Sequence, residues 1–159
     1  MKLNGKAPFT RLWIMLLLTG LSMCTVSALS SAATPKIGDT YNGGVVFYID
    51  ATGQHGLVAA PANITDLSSG QEKKFFAWYV AKNAANTFVG GYSDWVLPNK
   101  EQLNQLYIHR TAVGGMLDTY YWSSSESDIS NAWAQDFSTG EQLAGRKTNT
   151  GCVRPIRAF

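Results

Sequence analysis

The chain has 159 residues, of which 45% are hydrophobic and 15% charged, with a formal net charge of +2. That length leaves room for one domain and a targeting segment. The near-neutral balance excludes a general nucleic-acid binder, because such a protein needs a concentrated basic surface.

The first 33 residues have the layout of a secretory signal. Three basic residues stand at the start, the apolar run LWIMLLLTGL follows, and small residues ending in SSAA close the segment. We predict cleavage after Ala33, with a cut after Ala28 as the competing site. The predicted domain then runs from residue 34 to residue 159. It would be exported, and either secreted or held at the outer surface, with the periplasm as a further location.

Two other interpretations of the first segment stay open. An uncleaved membrane anchor needs about 20 apolar residues, and Thr19, Gly20 and Ser22 interrupt this run. We therefore expect no stable membrane insertion after cleavage. The second is a lipid anchor at Cys24, because LSMC partly matches a lipobox, although Met23 is bulky where a small residue is expected.

Removing the signal changes the charge of the chain. Residues 1–33 contain three basic and no acidic residues, so 10 Lys and Arg remain against 11 Asp and Glu, a charge of −1. One basic cluster remains near the end of the chain, formed by Arg146, Lys147, Arg154 and Arg157. Cys152 becomes the only cysteine, which excludes an internal disulfide and predicts a buried small hydrophobe.

The first half of the domain is predicted to contain a hairpin and a helix. Strands at 41–50 and 57–61, both rich in β-branched or aromatic residues, are joined by the turn-like ATGQHG. The polar segment 63–74 is predicted to be a loop. Residues 75–88 fit a first helix, which Val89-Gly90-Gly91 would end.

The clearest helix start in the chain is at Asn99. Its side chain can cap a helix that runs from Lys100 to about His109, and Gln102 can return the hydrogen bond as a capping box. The spacing then places three apolar side chains on one face, namely Leu103, Leu106 and Tyr107. We expect this face to pack against the aromatic strands that follow.

The last third of the chain is predicted to consist of short strands. They lie at 120–123, 132–138, 142–148 and 152–159, with Thr139-Gly140 placed where a hairpin turn belongs. Two helices between an early hairpin and several late strands predict an α+β domain.

Several motifs in this order resemble a known bacterial family. The sequence reads IGDTYNGGVVFYIDATGQHGLVAAP, then GYSDWVLPNKEQLNQLY, YYWSSSES, NAWAQDFSTG and a closing CVRPIRAF. These stretches are similar to the DUF1566 family, also called the C-terminal domain of the Legionella collagen-like protein. The resemblance covers about Ile37 to Phe159. It implies a C-type-lectin-like fold, with two helices, a small, mostly antiparallel sheet and long loops, used for binding at the bacterial surface.

The resemblance carries two further expectations about the chain. It implies that the first and last strands pair, VVFYI with VRPIRAF, with Pro155 at an edge or a bulge. Many members carry a second cysteine before the GGY turn, which KNAANTFVGGY lacks. Without that cysteine, core packing is left to hold the domain. The collagen-like Gly-X-Y array that the family's namesake uses as a stalk is also missing from this sequence.

The residues give little sign of catalysis or metal binding. HExxH, GxSxG, a phosphate-binding loop and a Cys/His cluster are all missing from the sequence, so we expect neither an enzyme nor a cofactor. Calcium-dependent lectins use acid-rich motifs, whereas Leu97-Pro98-Asn99 lacks the acid and Ser93-Asp94-Trp95 has a different order. We therefore expect no metal site. A hydrolase is the weakest alternative, and its acids would come from Asp94, Glu126, Asp128 and Asp136.

Binding without a metal is the leading interpretation. The polar run 123–131 lies between two tryptophans, and sugar sites commonly combine aromatic faces with short polar side chains. The predicted ligand-binding residues are Trp122, Ser124, Ser125, Glu126, Asp128, Asn131, Trp133, Arg146 and Lys147. The two basic residues can hold sulfate groups of a polysaccharide. We therefore predict an exported adhesin or lectin-like domain with a glycan or protein ligand.

Three alternatives compete with this interpretation. Trp95, Trp122 and Trp133 can be core residues, because tryptophan is usually largely buried. Glu126 can be structural, in an ion pair with Arg154 or Arg157. The whole domain can be an assembly module, whose aromatic and polar face packs on another subunit.

Overall fold

The structure is a computed structural model that describes residues 34–65, 74–87 and 91–159. The predicted signal at 1–33, most of the predicted loop 63–74, and the predicted helix end at Val89-Gly90 lie outside the described residues. The elements below belong to the described part of the chain.

The domain is α+β, as predicted, with short antiparallel strands. The strands are β1 Thr40–Tyr41, β2 Gly44–Ile49, β3 Gly56–Ala59, β4 Phe76–Ala77, β5 Tyr120–Glu126, β6 Asn131–Asp136, β7 Gln142–Arg146, β8 Thr150–Gly151 and β9 Ile156–Ala158. The helices are α1 Trp78–Asn86, α2 Lys100–Ile108 and the single-turn α3 Arg110–Val113. The strands form three sheets rather than the one expected, in the orders β1-β2-β3-β9, β4-β8 and β5-β6-β7.

The first sheet confirms the early hairpin and corrects the expected pairing of the last strand. Asn42 and Gly43 both have positive φ, 46° and 79°, as a tight turn between β1 and β2 requires. Because β1 occupies one edge of β2 and β3 the other, β2 has no edge left for the end of the chain. β9 pairs with β3 instead, with Leu57 opposite Ala158. Pro155 lies just before β9, where its missing N–H is not needed.

The predicted cap and apolar face of α2 are both confirmed. The Asn99 side chain accepts from the Gln102 amide at 2.8 Å, and the Gln102 side chain accepts from the Asn99 amide at 2.9 Å. Leu103 and Leu106 are buried in a core that includes Tyr121 and Phe137. The helix therefore packs on one face of the β5-β6-β7 sheet.

Helix α1 packs on the opposite face of that sheet. It begins at Trp78 rather than at Phe75, because Phe76 and Ala77 pair with β8 as strand β4. Trp78 packs with Trp122 and Ala134, whose side chains lie on the face away from Tyr121. The two helices thus cover the two faces of the same sheet, and this sheet carries most of the predicted site.

Candidate functional site

The two tryptophans that flank the polar run, Trp122 on β5 and Trp133 on β6, lie on opposite faces of the sheet because side chains alternate along each strand. Trp122 faces α1, is 3% exposed, and donates from its indole Nε1 to the Phe76 carbonyl at 2.8 Å. An edge of its ring forms part of the floor of a cleft of about 250 Å³ beside Gly145 and Gly151. Trp122 is therefore mainly a core residue, which corrects its place among the predicted binding residues.

Trp133 lies on the other face of the sheet and is only partly buried. The ammonium of Lys100, the first residue of α2, lies 3.1 Å from the centroid of its ring. Asn131 shares this face and is paired with Arg146 on β7, while the exposed Ala144 lies opposite Trp133. We call these five residues the Trp133 face.

Two serines of the predicted polar run support the Trp133 face through hydrogen bonds to the start of α2. The Ser125 hydroxyl accepts from the Lys100 amide at 3.0 Å, and the Ser124 amide donates to the Pro98 carbonyl at 2.8 Å. Both serines are half-buried, and they fasten an irregular part of β5 to the start of α2. They position Lys100 over Trp133 through these two bonds.

Arg146 and Lys147 are neighbours in sequence, but they do not form one binding surface. Lys147 is 4% exposed and lies 4.9 Å from the centroid of the Trp78 ring, on the α1 side of the sheet. Its ammonium donates to Glu126 and to the Ile129 carbonyl, and the hydrogen bond to Glu126 raises the pKa of Lys147. Lys147 is therefore structural, which corrects its place among the predicted ligand-binding residues.

The predicted basic cluster is dispersed through the domain. Arg154 is 1% exposed, and its guanidinium donates to the carbonyls of Ala60 and Gly114, both at 2.8 Å. Burial lowers the pKa of Arg154. Arg157 forms a two-point ion pair with Asp94, at 2.8 and 3.1 Å. The partner of Glu126 is thus Lys147, and the expected pairing with Arg154 or Arg157 is wrong.

Arg146 is the exception within that cluster. It is exposed, and among the described residues we find no ion pair or side-chain hydrogen bond for its guanidinium. It therefore remains available to a ligand at the edge of the Trp133 face.

The tip of the β5–β6 connection is held by Asp128. Its carboxylate accepts from the Ser130 amide at 2.8 Å, the Asn131 amide at 2.9 Å and the Asn131 side chain. These bonds lower the pKa of Asp128, the Asn131 side chain having the largest effect. The turn presents Ile129, which is 88% exposed. Asp128 and Asn131 are thus hydrogen-bonded to each other, and this contact fixes the shape of the loop.

The acids predicted for the hydrolase alternative have different hydrogen-bond and ion-pair partners. Asp94 pairs with Arg157, Glu126 pairs with Lys147, and Asp136 accepts from the Ser138 hydroxyl at 2.6 Å. None of the four predicted acids lines any of three clefts found among the described residues. Within the same residues, no three His, Cys, Asp or Glu side chains group as a metal site would need.

Sequence reasoning missed Lys100. Its distance from Trp133 along the chain is long, and nothing in the local pattern indicates that the first residue of α2 would stack on that ring. The sequence gives only an indirect signal. The capping box identifies Lys100 as the first residue of α2, but it does not indicate which ring the side chain contacts.

Comparison with known protein families gives one matching family model for this domain. The family model of the Lcl C-terminal domain matches residues 54–157. The chain belongs to that family. Membership in the Lcl C-terminal domain family indicates a surface or binding module and agrees with the predicted export. A search of the curated proteins found no match for this chain.

In the part of the chain that the structure describes, no helix combines the length and the apolar character needed to cross a bilayer.

Proposed function

We propose that this Lcl C-terminal domain is an exported, non-enzymatic, C-type-lectin-like module that binds an acidic glycan through the Trp133 face, without a metal. Sulfated polysaccharides are the ligand class that fits best. The observation that carries the proposal is the combination of a partly exposed indole with two cations, Lys100 and Arg146, on one side of one sheet.

The aromatic part of the face suits a sugar ring. The part of the Trp133 ring that Lys100 does not cover offers a rigid apolar surface, and contact with it costs little conformational entropy. Trp133 lies on a paired central strand, with β5 on one side and β7 on the other, so its backbone position is fixed. A preorganised aromatic surface of this kind favours binding, because less order has to be created on association.

The charged part of the face suits sulfate or carboxylate groups. Arg146 can bind an oxyanion through two parallel N–H groups. Lys100 has three N–H donors, and those that do not face the Trp133 ring can donate to an anion. The net charge of −1 for residues 34–159 limits long-range attraction, so recognition depends on these local cations.

A glycan array probed with purified residues 34–159 tests the proposal. We expect calcium-independent binding to sulfated glycans that weakens as salt is raised. Trp133→Ala and Arg146→Ala should each lower the affinity about tenfold, since loss of one good contact costs on the order of 1–2 kcal/mol. Phe75→Ala and Lys36→Ala are the matched controls, because they remove an exposed aromatic and an exposed cation elsewhere.

Two results would contradict the proposal. Binding that is lost equally in the control variants would indicate a nonspecific surface effect. An array without any bound glycan, in a sample whose folding is confirmed by circular dichroism, would rule out carbohydrate as the ligand class.

A second candidate function is assembly on another protein subunit. Tyr79 is 60% exposed, Val80 is 48% exposed and Ile129 is 88% exposed. Tyr79 and Ile129 both lie beside Lys147, whose ammonium is 5.7 Å from the Tyr79 ring and bonds to the Ile129 carbonyl. Sedimentation analysis of wild type and Ile129→Ser would detect self-association through this patch as a loss of the larger species.

A further inference from the structure

A second concave surface lies away from the Trp133 face, between the β2–β3 turn and the start of α2. It encloses about 430 Å³, which is within the usual size range of small-molecule sites. Its walls are formed by eight residues: Tyr48, Asp50, His55, Gly56, Leu57, Glu101, Gln102 and Gln105.

The charge of this cleft is negative. Asp50 and Glu101 line it, and none of its eight lining residues is a lysine or an arginine. The Asp50 carboxylate accepts from the Thr52 hydroxyl at 2.7 Å and lies 3.2 Å from the His55 ring. These contacts fix its position, with the Thr52 hydrogen bond as the main reason why the pKa of Asp50 falls to about 2. Asp50 is therefore ionised at neutral pH.

Glu101 supplies the second negative charge that lines the cleft. It lies in the first turn of α2, next to Lys100, whose ammonium is occupied over Trp133 and lines no part of the cleft. Among the described residues we find no ion pair for Glu101. The helix dipole favours an acid at this position, but it does not place a cation in the cleft.

The rest of the lining is largely apolar. Tyr48 points outward from β2, is 38% exposed, and presents its ring beside Leu57 of β3. Gly56 lies between them and the β2–β3 turn, and a side chain there would collide with the Phe159 ring and the Tyr48 carbonyl. An aromatic face next to carboxylates attracts cations through both Coulombic and cation–π interactions.

We propose that this cleft binds a ligand that carries a single ammonium group on a short apolar stem, as in a primary alkylamine or a lysine side chain. The ammonium lies between Asp50 and Glu101, and the stem packs on Tyr48 and Leu57. The side-chain oxygen of Gln105 can accept a hydrogen bond from the ammonium. This inference does not depend on the glycan proposal, because the two surfaces share no residue.

Amide-resolved NMR tests the proposal. The protein is produced from its complete coding sequence in an exporting bacterial host and is purified as the host processes it. It is titrated with n-butylammonium chloride, with n-butanol as the neutral probe of similar shape and sodium butyrate as the anionic one. We expect saturable shifts at the amides of Gly56, Leu57 and Gln105 with the ammonium, and a dissociation constant in the millimolar range.

Variants separate this site from general attraction to acidic residues. Glu101→Gln should weaken butylammonium binding at least fivefold, whereas Glu141→Gln, which neutralises an exposed acid in the β6–β7 turn, should leave it unchanged. Tyr48→Leu keeps the site apolar but removes the ring, and should also weaken binding. Equal shifts with butanol, equal affinity in Glu101→Gln and Glu141→Gln, or a lack of saturable shifts would each overturn the proposal.

Discussion

Lys147 and Glu126 form an ion pair across 21 positions of sequence, with the ammonium 2.5 Å from a carboxylate oxygen. The cation is almost completely buried, while the carboxylate side chain is about half exposed. The pair joins the end of β7 to the end of β5, and the Trp78 and Tyr79 rings cover the ammonium. A buried charge whose partner is removed destabilises the fold. Breaking this pair should therefore lower the free energy of unfolding more than breaking a surface ion pair would.

We therefore predict that Glu126→Gln lowers the thermal unfolding midpoint of residues 34–159, because Lys147 would remain buried without its carboxylate. Glu141→Gln changes the charge by the same amount at an exposed site and serves as the control. Scanning calorimetry at neutral pH measures both. Equal midpoints for the two variants would show that the pair contributes no more than a surface charge.

Two glycines with positive φ can be compared, Gly140 in the β6–β7 turn and Gly114 at the end of α3. Gly140 has φ of 87°, and a Cβ atom there would lie 2.6 Å from the Tyr107 ring. Gly114 has φ of 72°, but a Cβ atom there meets nothing within 4 Å. Both Ala variants carry the strain of positive φ, on the order of 1 kcal/mol. We predict that Gly140→Ala costs roughly 1–3 kcal/mol more than Gly114→Ala, because it also forces the ring to move.

Urea unfolding of the two glycine variants gives this difference directly. The result would contradict the structure if Gly114→Ala were as destabilising as Gly140→Ala, since contact with Tyr107 would then contribute nothing.

The capping box gives a third prediction. Asn99→Ala removes the acceptor of the Gln102 amide and should cost about 1 kcal/mol of unfolding free energy. Asn83→Ala, at an exposed position inside α1, should be neutral or slightly stabilising, because alanine is the better helix former there. Chemical unfolding of both variants checks the contrast, and a loss of stability in Asn83→Ala alone would refute it.

Cys152 gives a prediction about alkaline pH. Burial raises the pKa of this thiol from its usual 9.0 to about 11 in the folded state. In the unfolded chain the thiol ionises first, so rising pH between about 9 and about 11 stabilises the unfolded state and lowers the free energy of unfolding. The thiol accounts for a loss of about 2 kcal/mol across this window.

The variant Cys152→Ala isolates this effect. Its free energy of unfolding should fall less steeply between pH 9 and pH 10.5 than that of wild type, while alkaline groups remote from Cys152, such as Tyr79, act equally in both proteins. Parallel curves across that window would show that the thiol does not couple to folding.

How far the sequence predicts the site is clear from individual residues. The pattern around Trp133 predicts the strand that the structure shows as β6. Side-chain alternation along this strand places Asn131 on the same face as Trp133. The same alternation separates Arg146 from Lys147, so these neighbours in sequence lie on opposite faces of the sheet. Trp122 and Trp133 have similar sequence surroundings, and only the packing of α1 decides that Trp122 is the buried one.

The sequence by itself determined the features that depend on neighbouring residues. The α2 cap, the Thr139-Gly140 turn, the β2–β3 hairpin and the α+β class follow from hydrogen bonds and periodicities within a few positions. The motifs that indicate the Lcl C-terminal domain family also lie in the sequence itself.

Only the tertiary structure decided which distant groups meet. β9 lies beside β3 because β1 already occupies the other edge of β2, and Glu126 pairs with Lys147 rather than with Arg154. Lys100 reaches Trp133 because α2 packs across the sheet. Such contacts depend on competition among many partners of similar local chemistry, and that competition is resolved only when the whole chain is packed.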